Sequence, residues 1–392
     1  MASIRKRLLK GGKVVWQVDY KDLKDKRRHK QFSRRRDADD WLVNARTEIA
    51  EGTHVAARDT ITFKEAGEAW IANCRRRRLE ETTIISYQQH LDDHLYPLWQ
   101  AKRLNDLNKV TAQTLYEDLL EGERTLDMVR RVRIDAGAVL NYAKSKGWVG
   151  KNIIYDTPFE FSERSAKRPQ MPTIEEGQKM IARTLQAWED WRAFILVLVF
   201  CGLRASEVRA LSWSNIDFTN DAITVMHRAD RWGRIGHPKS RAGTRTIPLP
   251  QVVRDALMAW KPRCSSSKLN LVFPSRRGTV QNQSNIMTRY FRPMQIEAGI
   301  CVEVARHEAG KYTIGKRAKY GLHALRHFCA SLWIEANYSA KRVQTYMGHA
   351  SIVQTYDTYG HLFDLRDNDK KALQGIEKRV MSGVGKPRKN VA

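Results

Sequence analysis

The sequence predicts a multidomain, mainly helical protein: a small α+β unit first, an all-α unit second, and a larger, mainly α-helical unit with a small β-sheet last. Three observations predict it. A chain of 392 residues exceeds one ordinary domain and suits two or three. Apolar residues recur at helical spacing through 60–154 and again from 173 onward, whereas strand-like composition is confined to short stretches. Between these blocks, 155–172 carries Pro158, Pro169 and Pro172, mixed charge and little periodicity, which is the composition of a linker. The expected units are 1–58, 60–154 and 173–392, the last ending in a basic tail. With 42% apolar residues and 11 Trp, the chain can build real cores despite its charge.

In the first unit, Val14 to Tyr20 has strand composition, Lys21 to Arg28 reads as a charged turn, and His29 to Phe32 as a second strand. Ser33 reads as a helix N-cap, because Ala38, Trp41, Leu42 and Ala45 follow at helical spacing. A short sheet with one helix could lay its strands in a nucleic-acid groove. Lys6, Arg7, Lys10, Lys13, Arg34, Arg35 and Arg36 are its candidate phosphate contacts. In the second unit, helices are expected around Phe63–Ile71 and over Thr82–Leu95, Val110–Leu120 and Leu126–Lys146. Arg75, Arg76, Arg77 and Arg78 follow the first of these, and Arg130 and Arg131 lie on the last. A charge run is usually a solvated face; in so basic a chain these residues are also candidates for phosphate contact.

The third unit reads as helices over Trp188–Leu203, Ala205–Trp213, Val252–Trp260, Ile286–Gly299, Leu322–Ala336, Ala340–Met347 and Ile352–Tyr359. Ala222–Met226 and Arg245–Leu249 read as paired strands flanking a Gly-rich basic turn. There is no internal repeat.

Lys and Arg number 69 against 43 Asp and Glu, a net charge of +26. An excess of that size points to an anionic polymer, with DNA or RNA the commonest. Cys74, Cys201, Cys264, Cys301 and Cys329 are scattered and form no C-x-x-C pair, so neither a disulfide framework nor a zinc site is expected. Arg5-Lys6-Arg7 follows the start directly, with no apolar signal segment. The longest apolar run, Ala193 to Leu203, is too short to span a bilayer. A cytoplasmic location is expected, without a membrane partner.

Five short features stand in a fixed order in the third unit. Cys201-Gly202-Leu203-Arg204-Ala205-Ser206-Glu207 sets an Arg at a turn between helices. Pro238-Lys239-Ser240 opens the strand edge that ends in Arg245 to Leu249. His323-Ala324-Leu325-Arg326-His327 puts His323 and Arg326 on one helix face. Met347-Gly348-His349 and Thr355-Tyr356-Asp357-Thr358-Tyr359-Gly360-His361 follow. Each alone is weak, since most Arg residues are surface residues and a Tyr near a helix end is usually packing. Together they are specific.

This set resembles the catalytic domain of tyrosine recombinases, the family of phage integrases and chromosome-dimer resolvases. The family order of Arg, Lys, His-x-x-Arg, His or Trp, and Tyr falls here on Arg204, Lys239, His323, Arg326, His349 and Tyr359, with Glu207 at the supporting acidic position. The resemblance is strongest over 173–365. The unit at 60–154 is similar to the family's core-binding domain in size and place, and a basic N-terminal sheet unit is typical of its integrases. Met347 stands where Leu is commoner. The resemblance implies a tyrosine recombinase fold and strand exchange through a 3′-phosphotyrosine. It also implies action on double-stranded attachment sites as a homotetramer in a bacterial host, with accessory DNA-bending or directionality factors. The substrate would be a mobile element such as a prophage or genomic island.

The chemistry asks for these residue types independently. A phosphodiester under attack passes through a five-coordinate species with extra negative charge, which two guanidiniums grip through charge-assisted hydrogen bonds. Arg204 and Arg326 fit that role, with His323 and His349 as further donors. A phenol with a pKa of about 10 is neutral at pH 7 and needs help to attack; His323 is the expected proton acceptor. The leaving 5′ oxygen needs a proton, which Lys239 could deliver. Neither metal nor cofactor is expected, because the acidic residues are scattered. ATP is not expected either, because the covalent intermediate conserves the bond energy and no G-x-x-x-x-G-K-[ST] loop is present. Tyr356 is the internal rival to Tyr359; the spacing from Thr355 and the following Gly360-His361-Leu362 select Tyr359. Alternatives are a type IB-like topoisomerase, a two-domain-type resolvase and a catalytically silent DNA-binding regulator.

Overall fold

In the computed structural model, which describes residues 2–9, 12–158, 170–308, 311–363, 374 and 377–379, the chain opens on an antiparallel sheet. Its strands are β1 (Ser3–Leu8), β2 (Val14–Lys21) and β3 (Arg27–Phe32), with β2 in the centre. Val18 is fully buried against Ala38 and Leu42 of α1 (Arg35–Ala50), ringed by Trp16, Phe32 and Trp41. Two strands are expected from the sequence and three are found. Ser3–Leu8 is too basic and too exposed to alternate, and it is recruited by the free edge of β2, in register from Ser3 opposite Asp19 to Leu8 opposite Val14. The N-cap of α1 is Arg34 rather than Ser33, and no side chain caps it.

The helical segment that follows contains α2 (Phe63–Arg76), α3 (Glu81–His90), α4 (Tyr96–Trp99), α5 (Lys109–Glu121), α6 (Leu126–Ser145) and α7 (Ile153–Asp156). Thr62 and Glu65 form a reciprocal capping box at the start of α2, and Asn108 with Thr111 another at α5. Phe63, Ala66, Trp70 and Ile71 share a core with Val132, Ala136, Val139 and Leu140 of α6. The helix expected to end at Leu95 runs on to Trp99 through a π-turn at Leu91–Leu95. Pro97 has no N–H to give to the preceding turn, and the wider turn absorbs this while keeping Leu91 and Leu95 buried.

The chain divides into two compact units, 1–165 and 166–392, so the expected 1–58 and 60–154 segments share the first. Within it a Cβ on Gly150 would fall 1.6 Å from the Thr53 carbonyl oxygen, a backbone approach only glycine permits. Arg103 donates to the Ala57 carbonyl (3.0 Å) and Lys151 pairs with Glu51 (2.7 Å). A cleft of about 820 Å³ opens here, with Arg27, Lys30, Arg58, Lys109 and Lys151 on its walls.

The second unit holds α8 (Ile174–Gln186), α9 (Glu189–Cys201) and the short α10 (Ala205–Val208). β4 (Ile216–Asp217), β5 (Ala222–Val225) and β8 (Arg245–Pro248) form a sheet in that order. A separate hairpin of β6 (Arg228–Ala229) and β7 (Ile235–Gly236) stands between β5 and β8. Then come α11 (Gln251–Trp260), α12 (Gln283–Ile286), α13 (Arg292–Glu297), the pair β9 (Cys301–Glu308) and β10 (Lys311–Ala318), α14 (Leu322–Glu335), α15 (Ala340–Met347) and α16 (Ile352–Phe363). α9 is buried nearly all round, and its apolar side chains share the core with α11 and α14.

The structure departs from expectation here, and neither α8 nor the β6–β7 hairpin is expected from the sequence. The helix expected over Ala205–Trp213 ends at Val208, because the chain turns to bridge Ser212 with Leu271. The β9–β10 pair has no counterpart among the expected elements, since its apolar alternation is diluted by charge. Most of the expected linker, 159–169, and most of the tail from Lys370 lie outside the described residues.

Candidate active site

Two glycines shape the centre of the second unit. Gly202 ends α9 at φ +60° and Gly348 ends α15 at φ +63°, both left-handed. A Cβ on Gly348 would stand 2.8 Å from the Ala242 carbonyl oxygen. Each glycine carbonyl accepts from an arginine: Gly202 from Arg326 Nη1 (2.6 Å) and Gly348 from Arg204 Nη2 (3.1 Å). Arg326, 1% exposed, also donates through Nη2 to the Met347 carbonyl.

Glu207 is the anion that holds the cluster together. It accepts from Arg204 Nη1 (2.7 Å) and from Arg245 through Nη1 (3.1 Å) and Nη2 (2.8 Å). Its burial works to raise the carboxyl, but the Arg245 hydrogen bonds and the charges of Arg245, Arg326 and Arg204 prevail and hold it down to about 2. Arg245 further donates through Nε to the Tyr346 carbonyl (2.6 Å), tying β8 to α15. Three guanidiniums thus surround one carboxylate, which leaves the cluster net positive. Burial, reinforced by the charge of Arg204, pulls the Arg326 guanidinium down to about 9.

Three histidines adjoin the cluster. His323 is exposed at the start of α14, and partial desolvation followed by the charges of Arg326 and Arg204 lowers its imidazole. His327, one turn on, lies 4.6 Å from it, centroid to centroid and edge to face. His349 is buried, with Nδ1 2.9 Å from Thr355 Oγ1; burial and the three arginines pull it down to about 3. Its ring is parallel to that of Tyr359 at 6.4 Å. Tyr359 is 1% exposed, and burial pushes its phenol up to about 12. Burial, with the charges of His323 and Arg326, lowers His327 to about 4, and its Nδ1 shares a hydrogen bond of 2.7 Å with the Tyr359 hydroxyl.

His323 is the proton acceptor expected from sequence, and the structure sets a second imidazole against the phenol. The hydroxyl of Tyr359 meets His327, not His323, because positions i and i+4 share a helix face and the inward one meets α16. Tyr356, the rival, is 52% exposed and lies beside Phe363 instead. Lys239 is exposed in the loop between β7 and β8, where Gly243 packs so closely under Pro238 that a Cβ would meet it at 2.3 Å. Five of the six expected catalytic residues therefore gather around Glu207 and Tyr359, and Lys239 stands on the hairpin loop that leads into Arg245. Sequence reasoning misses Arg245 and His327. Both stand inside the quoted motifs, but only folding shows which way they face.

The sequence profile of the phage integrase family matches residues 178–366. Residues 178–366 belong to the tyrosine recombinase family. Its class is thus that of site-specific DNA recombinases. A XerC-like tyrosine recombinase of Caldanaerobacter subterraneus is 22% identical over 80% of this chain and 82% of its own length. The transposase of transposon Tn916 from Enterococcus faecalis is 28% identical over 46% of this chain and 44% of its own. Among solved structures, a Tn1549 transposon integrase with transposon right-end DNA matches at a TM-score of 0.65 and 17% identity, over 82% of this chain and all of that one. A lambda integrase dimer on a core site matches at 0.59 and 17%, over 93% and 95%. At such identities these structures establish the tyrosine recombinase fold.

The candidate DNA contacts of this recombinase are surface groups. Lys6, Arg7, Lys13, Arg34, Arg35, Arg36, Arg75, Arg76, Arg77, Arg78, Arg130 and Arg131 are all exposed, and Lys10 lies outside the described residues. Several have local partners: Arg7 donates to Gln17 (3.0 Å), Arg76 to the Tyr142 hydroxyl (3.3 Å), and Arg35 lies over the Trp16 ring. Arg133, from the same run as Arg131, instead braces α6 by donating to Tyr116 and the Ile154 carbonyl. The second unit adds a basic cleft of about 800 Å³ that the sequence does not announce, with Arg276, Arg277 and Arg289 beside the stacked rings of Trp191 and Tyr290.

Proposed function

We propose that this recombinase is an integrase that inserts and excises a mobile element, with Tyr359 as its nucleophile. The observation that carries the reading is the convergence of the Tyr359 hydroxyl with His327, His349 and the Arg204–Glu207–Arg245–Arg326 cluster. Arg204 and Arg326 neutralise the non-bridging oxygens of the scissile phosphate, and His323 and His349 donate to them. Tyr359 Oη attacks phosphorus, the P–O5′ bond breaks, and the DNA 3′ end stays esterified to the tyrosine. The phenolic proton passes to the histidine pair His323–His327, and Lys239 protonates the departing 5′ oxygen. Attack by a new 5′ hydroxyl reverses each step, so rejoining needs neither ATP nor metal.

Within the first unit, 1–58 acts as an arm-type DNA-binding domain and 60–154 as the core-binding domain. The second unit, after the 155–172 connection, is catalytic, and four copies work together on paired attachment sites. Relatives described as transposon proteins and a structural neighbour from phage lambda support a mobile element as substrate. They favour a transposon as much as a prophage or genomic island. The test is a two-site recombination assay beside relaxation of a supercoiled plasmid. Recombinant junctions are expected only with both sites present. Relaxation of any supercoiled plasmid with no recombinants would replace the reading with a topoisomerase.

A further inference from the structure

The β6–β7 hairpin carries an exposed tryptophan in a setting that ordinary surface packing does not require. Trp232 is 43% exposed at its tip, between Arg231 and Arg234, whose guanidiniums lie 5.4 and 5.2 Å from the ring centroid. Ile235 (37%) is exposed on the same short ribbon, and Met226 (43%) just before it, between β5 and β6. The tip is held firmly. Asp230 Oδ1 accepts from the N–H groups of Trp232 (2.8 Å) and Arg234 (2.9 Å), and Gly233 turns the chain at φ +83°. Behind the turn, Arg209 is 3% exposed; it donates to the Asp230 carbonyl (2.9 Å) and to the Gln281 carbonyl (2.7 Å). A buried arginine spent on fixing an exposed hairpin indicates that the position of the tip matters.

Charge names the partner. Residues 227–241 hold His227, Arg228, Arg231, Arg234, His237, Lys239 and Arg241 against one acid, Asp230, whose carboxylate is occupied inside the turn. A positive two-stranded ribbon with a flat ring at its tip suits a nucleic-acid groove: the guanidiniums meet phosphates while the ring stacks on a base. Exposed Met and Ile beside it are of the apolar kind that wedges between base steps. The ribbon runs through His237 directly into Pro238-Lys239, so whatever it grips is fixed relative to Lys239.

We propose that the 227–237 hairpin is a DNA probe that seats Trp232 against a base step near the scissile phosphate and so places the Lys239 loop. This rests on the recombinase reading, since it takes duplex DNA beside Lys239 as given. The test uses the full chain carrying Tyr359→Phe, so that no strand is cut. Duplexes selected by this protein from a random pool carry 2-aminopurine at successive positions. A fluorescence change is expected at one cluster of adjacent positions. It should vanish with Trp232→Ala and persist with Trp232→Phe. Trp232→Ala should weaken binding about ten-fold, the scale of removing one base–aromatic stack, and leave the salt slope unchanged. Arg231→Ala with Arg234→Ala should instead flatten the slope of log K against log salt by about 0.9 for each phosphate no longer neutralised. An unchanged 2-aminopurine profile with Trp232→Ala overturns the proposal. So does a change in the oligomeric state of DNA-free protein with DNA binding intact, which would make the tip a protein contact. Thermal melting of Trp232→Ala should match the parent, because the ring is exposed. The readouts need no cleavage, so failure of the unsubstituted chain to form a covalent adduct would count against Tyr359 alone.

Discussion

Tyr356 and Tyr359 stand three residues apart on one helix, and burial separates them. Tyr359 has its hydroxyl on His327 and its ring parallel to His349, while Tyr356 is half exposed. Tyr359→Phe removes only the hydroxyl, so DNA binding should survive while the covalent adduct on a nicked suicide substrate disappears from a denaturing gel. Tyr356→Phe should retain it; the reverse pattern would move the nucleophile. Lys239 is assigned proton delivery, which matters less when the leaving group is already good. Lys239→Ala should cut an ordinary phosphodiester slowly and recover on a 5′-bridging phosphorothiolate. Equal loss on both substrates would make Lys239 a binding residue. The two tyrosines can be ranked in the sequence by motif spacing, but the partner of the chosen one cannot. His323 and His327 occupy the same helix face, and which of them meets α16 depends on how α14 and α16 pack.

At the scale of elements, the ends of α9 and α15, the start of α14 and strand β8 are joined through Glu207 and the arginines around it. That junction should make the second unit acid-sensitive. An unfolded Glu takes up its proton near 4.5, whereas folded Glu207 resists protonation down to about 2. The unfolded state therefore binds more protons between those values, and stability falls as pH falls through that window, by roughly 3 kcal/mol for this group. Buried His349 and half-buried His327 act in the same sense and earlier. They are held neutral down to about 3 and about 4 respectively, while unfolded imidazoles charge near 6.5. Urea melts at pH 7, 5.5 and 4 should show a steadily falling midpoint, and His349→Gln should flatten the decline below 6.5. A midpoint that holds steady down to pH 4 would mean the cluster is not retained in solution. The elements themselves are largely legible, because α9 and α14 have long apolar patterns. β1 and the β9–β10 pair are not, because basic or mixed-charge strands are specified by the edge they pair with rather than by alternation.

For the whole molecule, the excess charge of +26 is spread over both units, and Lys6, Arg7 and Lys13 of the expected arm contacts are exposed. Substituting Lys6, Arg7 and Lys13 together by Ala keeps the sheet, since none is buried. On DNA carrying flanking sites, the slope of log K against log salt should flatten by about 0.9 for each phosphate that the variant leaves unneutralised, while cleavage of a core-only duplex stays near that of the parent. Equal slopes for variant and parent would make the N-terminal sheet a bystander to binding.

Taken alone, the sequence determined the class of fold, the family and the residue types of the site. Those depend on periodicity and on motifs whose members are neighbours along the chain: Gly202 with Arg204, His323 with Arg326, Gly348 with His349. Only the tertiary structure decided that Arg245 shares Glu207 with Arg204, that the Gly202 and Gly348 carbonyls orient two arginines, that Tyr359 faces His327, and that Trp232 projects on a braced hairpin. Such pairings join residues distant in the chain, up to 144 apart for Arg204 and Gly348. Their energies are set by burial and by the net charge of the assembled cluster, quantities that exist only once the segments are packed together.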